Sequence, residues 1–236
     1  MKSLLVKIAI AVLALVLVVV IGWLARNGRE QPQQNDAGSS QYVPVLDTEQ
    51  PMTIEGLRAK SVDVGRTHAC AVHFDGRVSC WGKNDSGQLG DGTTIHRASP
   101  VSVVGLENVA EVAVGHSHSC ARLESGVVHC WGINDQLQLG LEGPHRQLTP
   151  TPVPDLSEVV QLKSGLSHLC ALTNPGRVFC WGLNHRGQLG RGDGAAEKGL
   201  PARIDDYSRF LGIALGDGHS CALKSSGSVW CWGDDN

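Results

Sequence analysis

Two short patterns in the sequence could do chemistry. His-x-Cys occurs at His68–Cys70, His118–Cys120, His168–Cys170 and His219–Cys221, and Cys-Trp-Gly begins at Cys80, Cys130, Cys180 and Cys231. Histidine with cysteine is a zinc vocabulary, two facing cysteines make a disulfide, and a positioned histidine is the commonest general base. Spacing weighs on each reading. Cys-x9-Cys is not a usual zinc knuckle, and each copy offers three ligands, so zinc is the weaker reading beside disulfides, with reduced structural thiols also open. A histidine recurring at one position in every copy points to a structural role, because active sites are asymmetric constellations. No Gly-x-Ser-x-Gly elbow, Walker loop or His-Glu-x-x-His is present.

Both patterns recur at steps of 50, 50 and 51 residues, and other elements recur at nearly the same step. Asn84-Asp85-Ser86-Gly87-Gln88-Leu89-Gly90 is echoed at 184–190 and, with Leu137 for the glycine, at 134–140. Pro-x-x-(Val/Ile)-x-x-(Leu/Tyr) starts at Pro51, Pro100, Pro150 and Pro201. The units run roughly over 58–106, 107–156, 157–207 and an incomplete 208–236. Each holds short β-rich runs such as 109–114, parted by glycine-containing turns, without an amphipathic helix. Strand repeats of this length read as propeller blades. The fold class is therefore all-β, a β-propeller of four ~50-residue repeats.

Turn chemistry sets which cysteines face one another. The loops 74–76, 124–126, 174–176 and 225–227 all end in glycine, where a three-residue hairpin loop needs a left-handed residue. That register opposes Cys70 to Cys80, Cys120 to Cys130, Cys170 to Cys180 and Cys221 to Cys231, within disulfide reach. It also sets Ala69, Ser119 and Ser220 across from Trp81, Trp131 and Trp232, with Leu169 the exception across from Trp181.

Composition agrees with this class: 29 glycines, 18% charged residues and a net charge of −3 exclude a coiled coil and offer no basic field for nucleic acid. The N-terminus is different. Eighteen residues from Ile8 to Ala25 are apolar without a break, about 27 Å as a helix and enough to span a bilayer. Residues 1–26 are expected to form a transmembrane signal anchor, a cleaved signal peptide being the alternative, and residues 27–50 a flexible linker. Lysines and arginines flank the span almost equally, so the cysteines decide its orientation: disulfides put the repeats outside the cytoplasm, periplasmic or on the cell surface.

Gly65-x-x-His68-x-Cys70-Ala71, Asp75-Gly76-Arg77-Val78, Trp81-Gly82-x-Asn84 and Gly87-Gln88-Leu89-Gly90 together resemble the regulator of chromosome condensation repeat, over residues 51–236. The resemblance implies a propeller of four-stranded blades that acts by protein–protein contact, and its cysteines resemble those of bacterial extracytoplasmic members. The best-known members have seven blades against four units here, so closure of one ring through the copy at Pro51, an incomplete ring with possible homo-oligomers, and a truncated chain all stay open.

Function is expected in the loops that differ between units, 91–99, 141–149 and 191–200, with His96, Arg97, His145, Arg146, Glu197 and Lys198 as candidate binding residues; simple drift is the alternative. Arg191-Gly192-Asp193 reads as a family turn, and the sequon Asn84-Asp85-Ser86 as incidental. The expectation is a membrane-tethered, non-enzymatic module for a protein or an envelope polymer, with no catalytic residue, metal, cofactor or nucleic acid. Guanine-nucleotide exchange on a small GTPase and an envelope hydrolase are the alternatives.

Overall fold

The computed structural model describes residues 54, 57–192, 196–204, 206 and 208–235. The expected anchor and linker lie outside the described residues, among which no helix is long and apolar enough to cross a membrane. Among the described residues, fifteen strands form four antiparallel sheets in chain order. Sheet 1 holds β1 (Ala59–Val64), β2 (His68–His73), β3 (Val78–Gly82) and β4 (Arg97–Ser102). Sheet 2 holds β5 (Val109–Val114), β6 (His118–Leu123), β7 (Val128–Ile133) and β8 (Arg146–Pro152). Sheet 3 holds β9 (Val159–Ser164), β10 (His168–Thr173), β11 (Arg177–Leu183) and β12 (Lys198–Arg203). Sheet 4 has three strands, β13 (Phe210–Leu215), β14 (His219–Lys224) and β15 (Val229–Gly233).

The hairpin register follows from the turn. His73 donates to the Arg77 carbonyl (2.8 Å) and Gly76 to the His73 carbonyl (3.0 Å), with Gly76 at φ +79°. Cys70 then faces Cys80, and the same pairing holds in the other sheets. All eight cysteines are joined, each bridge within one hairpin.

Because side chains alternate along a strand, each sheet has two apolar faces, and the sheets stack face to face. The face towards the next sheet carries the disulfide and its neighbours. The opposite face carries the tryptophan, an alanine and inner-strand aliphatics. Between sheets 1 and 2, Cys70, Val72, Val78 and Cys80 pack on Val112, Val114, Ala121 and Trp131. Between sheets 2 and 3, Cys120, Val128 and Cys130 meet Leu162, Leu169, Ala171 and Trp181. Between sheets 3 and 4, Cys170, Leu172, Val178 and Cys180 meet Ile213 and Ala222, edged by Leu215 and Trp232. The indoles are also tied across each junction: Nε1 of Trp131, Trp181 and Trp232 donates to the carbonyl of Gln88, Gln138 and Gln188 (2.8, 3.1 and 2.8 Å) in the preceding sheet's turn.

Among the described residues, the outward faces of sheets 1 and 4 carry exposed valines. Val62 and Val64 on the leading face of sheet 1 are 61% and 68% exposed, and Val229 on the trailing face of sheet 4 is 64% exposed, whereas its equivalents Val78, Val128 and Val178 are at most 1%.

Candidate functional site

The recurring histidines come first, because for three of the four the structure supplies partners that resemble catalytic geometry. His68 Nε2 lies 2.7 Å from Ser119 Oγ, and His168 Nε2 lies 2.9 Å from Ser220 Oγ, each serine in the next sheet. In sheet 3 the serine is replaced by Leu169, and Ser164 on β9 takes its place, 3.0 Å from His118 Nε2. These are not nucleophile–base pairs. The serine hydroxyls give their protons to the carbonyls of Gln88, Gln188 and Gly165 (2.9, 3.0 and 2.9 Å), so the imidazoles must donate from Nε2–H. Their Nδ1 atoms are buried without a hydrogen-bond partner. Burial, reinforced by neighbouring histidines, lowers His68 and His118 to about 3 and His168 to about 4, too weak for a base at neutral pH. Gly-x-x-His makes room for the ring: a Cβ on Gly115 or Gly165 would lie 2.0 or 2.3 Å from Cε1 of His118 or His168. His68, His118 and His168 are therefore neutral pins between sheets, rather than supports for the backbone of their own unit.

Two further sequence motifs are also built inward. Asn84 is fully buried; its Nδ2 donates to the carbonyls of Thr93 and Ile95 (3.0 and 3.1 Å) and its Oδ1 accepts from the Leu89 amide (2.9 Å). In the folded protein this sequon asparagine is closed to a glycosylating enzyme. Arg191 directs its guanidinium onto the Cys180 and Leu200 carbonyls, so Arg191-Gly192-Asp193 does not display its arginine.

One end of the stack gathers what is exposed and different between repeats. The turns after the inner strands (65–67, 115–117, 165–167, 216–218) adjoin the loops that follow Cys-Trp-Gly. Amides of Lys83, Ile133, Leu183 and Asp234 bond the carbonyls of Thr67, Ser117, Ser167 and Gly218 at 2.9–3.0 Å. The turns are also zipped sheet to sheet, from the His116 amide to the Leu166 carbonyl (3.0 Å) and from the Leu166 amide to the Asp217 carbonyl (3.2 Å). Around their centre lies a cleft of about 570 Å³ whose lining includes Asp63, Arg66, His116, Lys163, Leu166 and Asp217. Glu111, which lines a second cleft, holds Lys163 of the first. It accepts from the Leu162 amide (3.0 Å) and pairs with Lys163 (2.8 Å) and Arg122 (3.3 Å).

The six candidate binding residues lie on the outer part of this same end. His96 accepts from the Asn84 amide at Nδ1 (2.9 Å) and approaches Asp85 through Nε2 (3.2 Å). Arg97 is paired with the buried Asp91 carboxylate (2.8 Å). His145 is exposed beside Asp135 (3.0 Å), and Glu197 is exposed. Arg146 and Lys198 each reach back one sheet, to the carbonyls of Asp85 (3.4 Å) and Asp135 (2.9 Å). The loops thus join into one polar ridge of mixed charge in which four members, His96, Arg97, Arg146 and Lys198, already serve internal ties. Arg66, His116, Leu166 and Asp217 escaped the sequence reading. Their signal was the unmatched residue directly after the recurrent glycine of Gly-x-x-His.

Models of the regulator of chromosome condensation repeat match at residues 75–122, 125–172 and 175–223, and a second model of that repeat at 59–88, 109–138, 159–188 and 211–236. Among curated proteins, the human E3 ubiquitin-protein ligase HERC2 is 48% identical over 60 residues, 24% of this chain and 1% of that protein. The ultraviolet-B receptor UVR8 of Arabidopsis thaliana is 36% identical over 56 residues, 24% of this chain and 13% of the receptor. Among solved structures, human WBSCR16 superposes with a TM-score of 0.68 at 24% identity, over 78% of this chain and 50% of that one. Prp20p of Saccharomyces cerevisiae, studied for its binding to Gsp1p and histones, superposes with a TM-score of 0.56 at 23% identity, over 75% and 57%. The chain spans a small part of the curated relatives and about half of the solved structures, which show the fold alone at these identities.

Proposed function

Because this chain belongs to the regulator of chromosome condensation repeat family, we propose that it is a membrane-tethered, extracytoplasmic propeller module that binds another protein through the end of the stack just described. One observation carries the reading. Four repeats alike in their strands present Arg66, His116, Leu166 and Asp217 at one equivalent position around a common cleft. A rigid scaffold offering unlike side chains in register is how a repeat array makes a specific surface. The four disulfides support an oxidising compartment, and residues 1–26 supply the tether, with the N-terminus inside. An envelope polymer is the alternative occupant.

Nucleotide exchange on a small GTPase fits the family equally well, but it needs a cytosolic domain, where hairpin cysteines stay reduced. The ligase names among the relatives attach to proteins matched here through repeats alone. A hydrolase would need two carboxylates poised across a substrate; of those at the cleft, Asp63 is taken up by the Val114 amide (2.7 Å).

The test is photo-crosslinking in intact cells, with the probe placed at Arg66 or His145, or at Ser125 on the hairpin end. Adducts to one protein are expected from the first two positions and none from Ser125. Equal adducts from Ser125 would remove the assignment of the face.

A further inference from the structure

We infer that the cleft takes one carboxylate side chain, aspartate or glutamate, from the protein that docks on this end of the stack. The inference rests on the reading of that end as a protein-binding face and names the chemistry it recognises. It starts from the free edges of the inner strands. Gly115, Gly165 and Gly216 each donate to the carbonyl of the recurring histidine opposite (3.0, 2.8 and 3.0 Å). Bonded and non-bonded pairs alternate along an antiparallel ladder. Val114, Ser164 and Leu215, paired with Ser119, Leu169 and Ser220, therefore turn their amides out of the sheet edge. The chain itself shows what such an amide binds. In sheet 2 the Val114 amide donates to the Asp63 carboxylate of the preceding sheet (2.7 Å). Lower on the same edges, the Leu162 and Ile213 amides donate to the side chains of Glu111 and Gln161 (3.0 and 2.9 Å).

Ser164 and Leu215 are the exceptions. Where Asp63 stands in sheet 1, sheets 2 and 3 carry Ala113 and Lys163, and neither side chain can accept a hydrogen bond. Val114, capped by Asp63, is buried, whereas Ser164 and Leu215 are partly exposed and line the cleft. An acceptor from outside completes the pattern, and its charge follows from the lining. Arg66, and Lys163 held by Glu111, favour an anion. Asp63 and Asp217 share that lining and oppose a second negative charge, so a single carboxylate fits better than a phosphate. Leu166 beside them suits the methylene stem of an acidic residue, and not the hydroxylated ring of a sugar acid.

Amide NMR of the full chain in detergent tests this, with the end-blocked tripeptides Gly-Asp-Gly and Gly-Asn-Gly and with glucuronic acid as probes. The aspartyl peptide should move the Ser164 and Leu215 amide protons downfield and saturably, and leave Val114 in place. The asparaginyl peptide should move none of them. Ala113→Asp supplies the missing acceptor from within and should weaken the aspartyl peptide by roughly tenfold, the effect of losing one charge-assisted hydrogen bond. Because Ala113 is buried, two changes at exposed residues stand beside it: Arg66→Gln should weaken the aspartyl peptide and Asp217→Asn should tighten it. Ser164 and Leu215 amides that stay still at millimolar peptide, or that move equally with the asparaginyl one, overturn the proposal. Photo-crosslinks from Arg66 beside unmoved amides would keep the binding face and remove the carboxylate alone. Glucuronic acid binding more tightly than the peptide would also overturn it, by placing the carboxylate on an envelope polymer.

Discussion

Replacing Trp131 with alanine should destabilise the protein by roughly 3–5 kcal/mol, the range for deleting a fully buried large aromatic, while Trp81→Ala should cost a fraction of that. Both belong to Cys-Trp-Gly, yet Trp131 is sealed between sheets 1 and 2 and donates to the Gln88 carbonyl. Trp81 lies on the face of sheet 1 away from sheet 2 and is partly exposed. The loss at Trp131 is mainly packing, because the Gln88 carbonyl keeps the Ser119 hydroxyl as a donor. Chemical denaturation of both variants measures the difference. Equal losses would mean that the tryptophans stabilise their own hairpins and not the junctions between sheets.

Acid should loosen the same junctions well before the carboxylates titrate. His68, His118 and His168 are held neutral in the fold, lowered from 6.5 to about 3, 3 and 4, first by burial and then by neighbouring histidines. The unfolded chain therefore binds more protons than the folded one below pH 6.5. The stability these groups contribute is complete above that pH and is lost as the pH falls towards 3–4. At 1.36 kcal/mol per pH unit, each histidine gives up roughly 2 kcal/mol by pH 5. The carboxylates act in a lower window. Hydrogen bonding from Lys224 takes Asp206 to about 2, so its contribution is lost only below the ordinary carboxylate value. Melting temperature should fall steeply from pH 6.5 to 4.5, and His118→Asn should lower stability at pH 7 yet flatten that slope. A melting temperature constant from pH 6.5 to 5 would mean that the imidazoles reach water.

Much of the single sheet was legible in the sequence, because everything within a hairpin is local. Period-two alternation and the glycine that closes each three-residue loop fix which cysteines face each other, and the structure has Cys70↔Cys80 and Ala69↔Trp81 as that register requires. Contacts between sheets were not legible, since they join residues about 50 positions apart whose relative height depends on stacking. Leu169 illustrates this. It stands out as a mismatch in a column of small residues, but only the stacked sheets show Ser164, five residues earlier, supplying the missing hydroxyl to His118. The candidate loops divided for a similar reason. His145 and Glu197 are exposed, whereas Arg146 and Lys198 turn back to carbonyls of the preceding sheet, and nothing in a single repeat marks which way a long side chain will go. The cleft residues were recoverable in principle, because Arg66, His116, Leu166 and Asp217 differ where the glycine before them and the histidine after them recur.

The central claim is a stack of disulfide-closed hairpins displayed outside the cytoplasm. Non-reducing peptide mapping of the chain isolated from its own membranes tests it most directly. The account predicts four bridges, Cys70–Cys80, Cys120–Cys130, Cys170–Cys180 and Cys221–Cys231. Eight free thiols in the native protein would contradict it, place the repeats in the cytosol and return the reading to a regulator of a small GTPase.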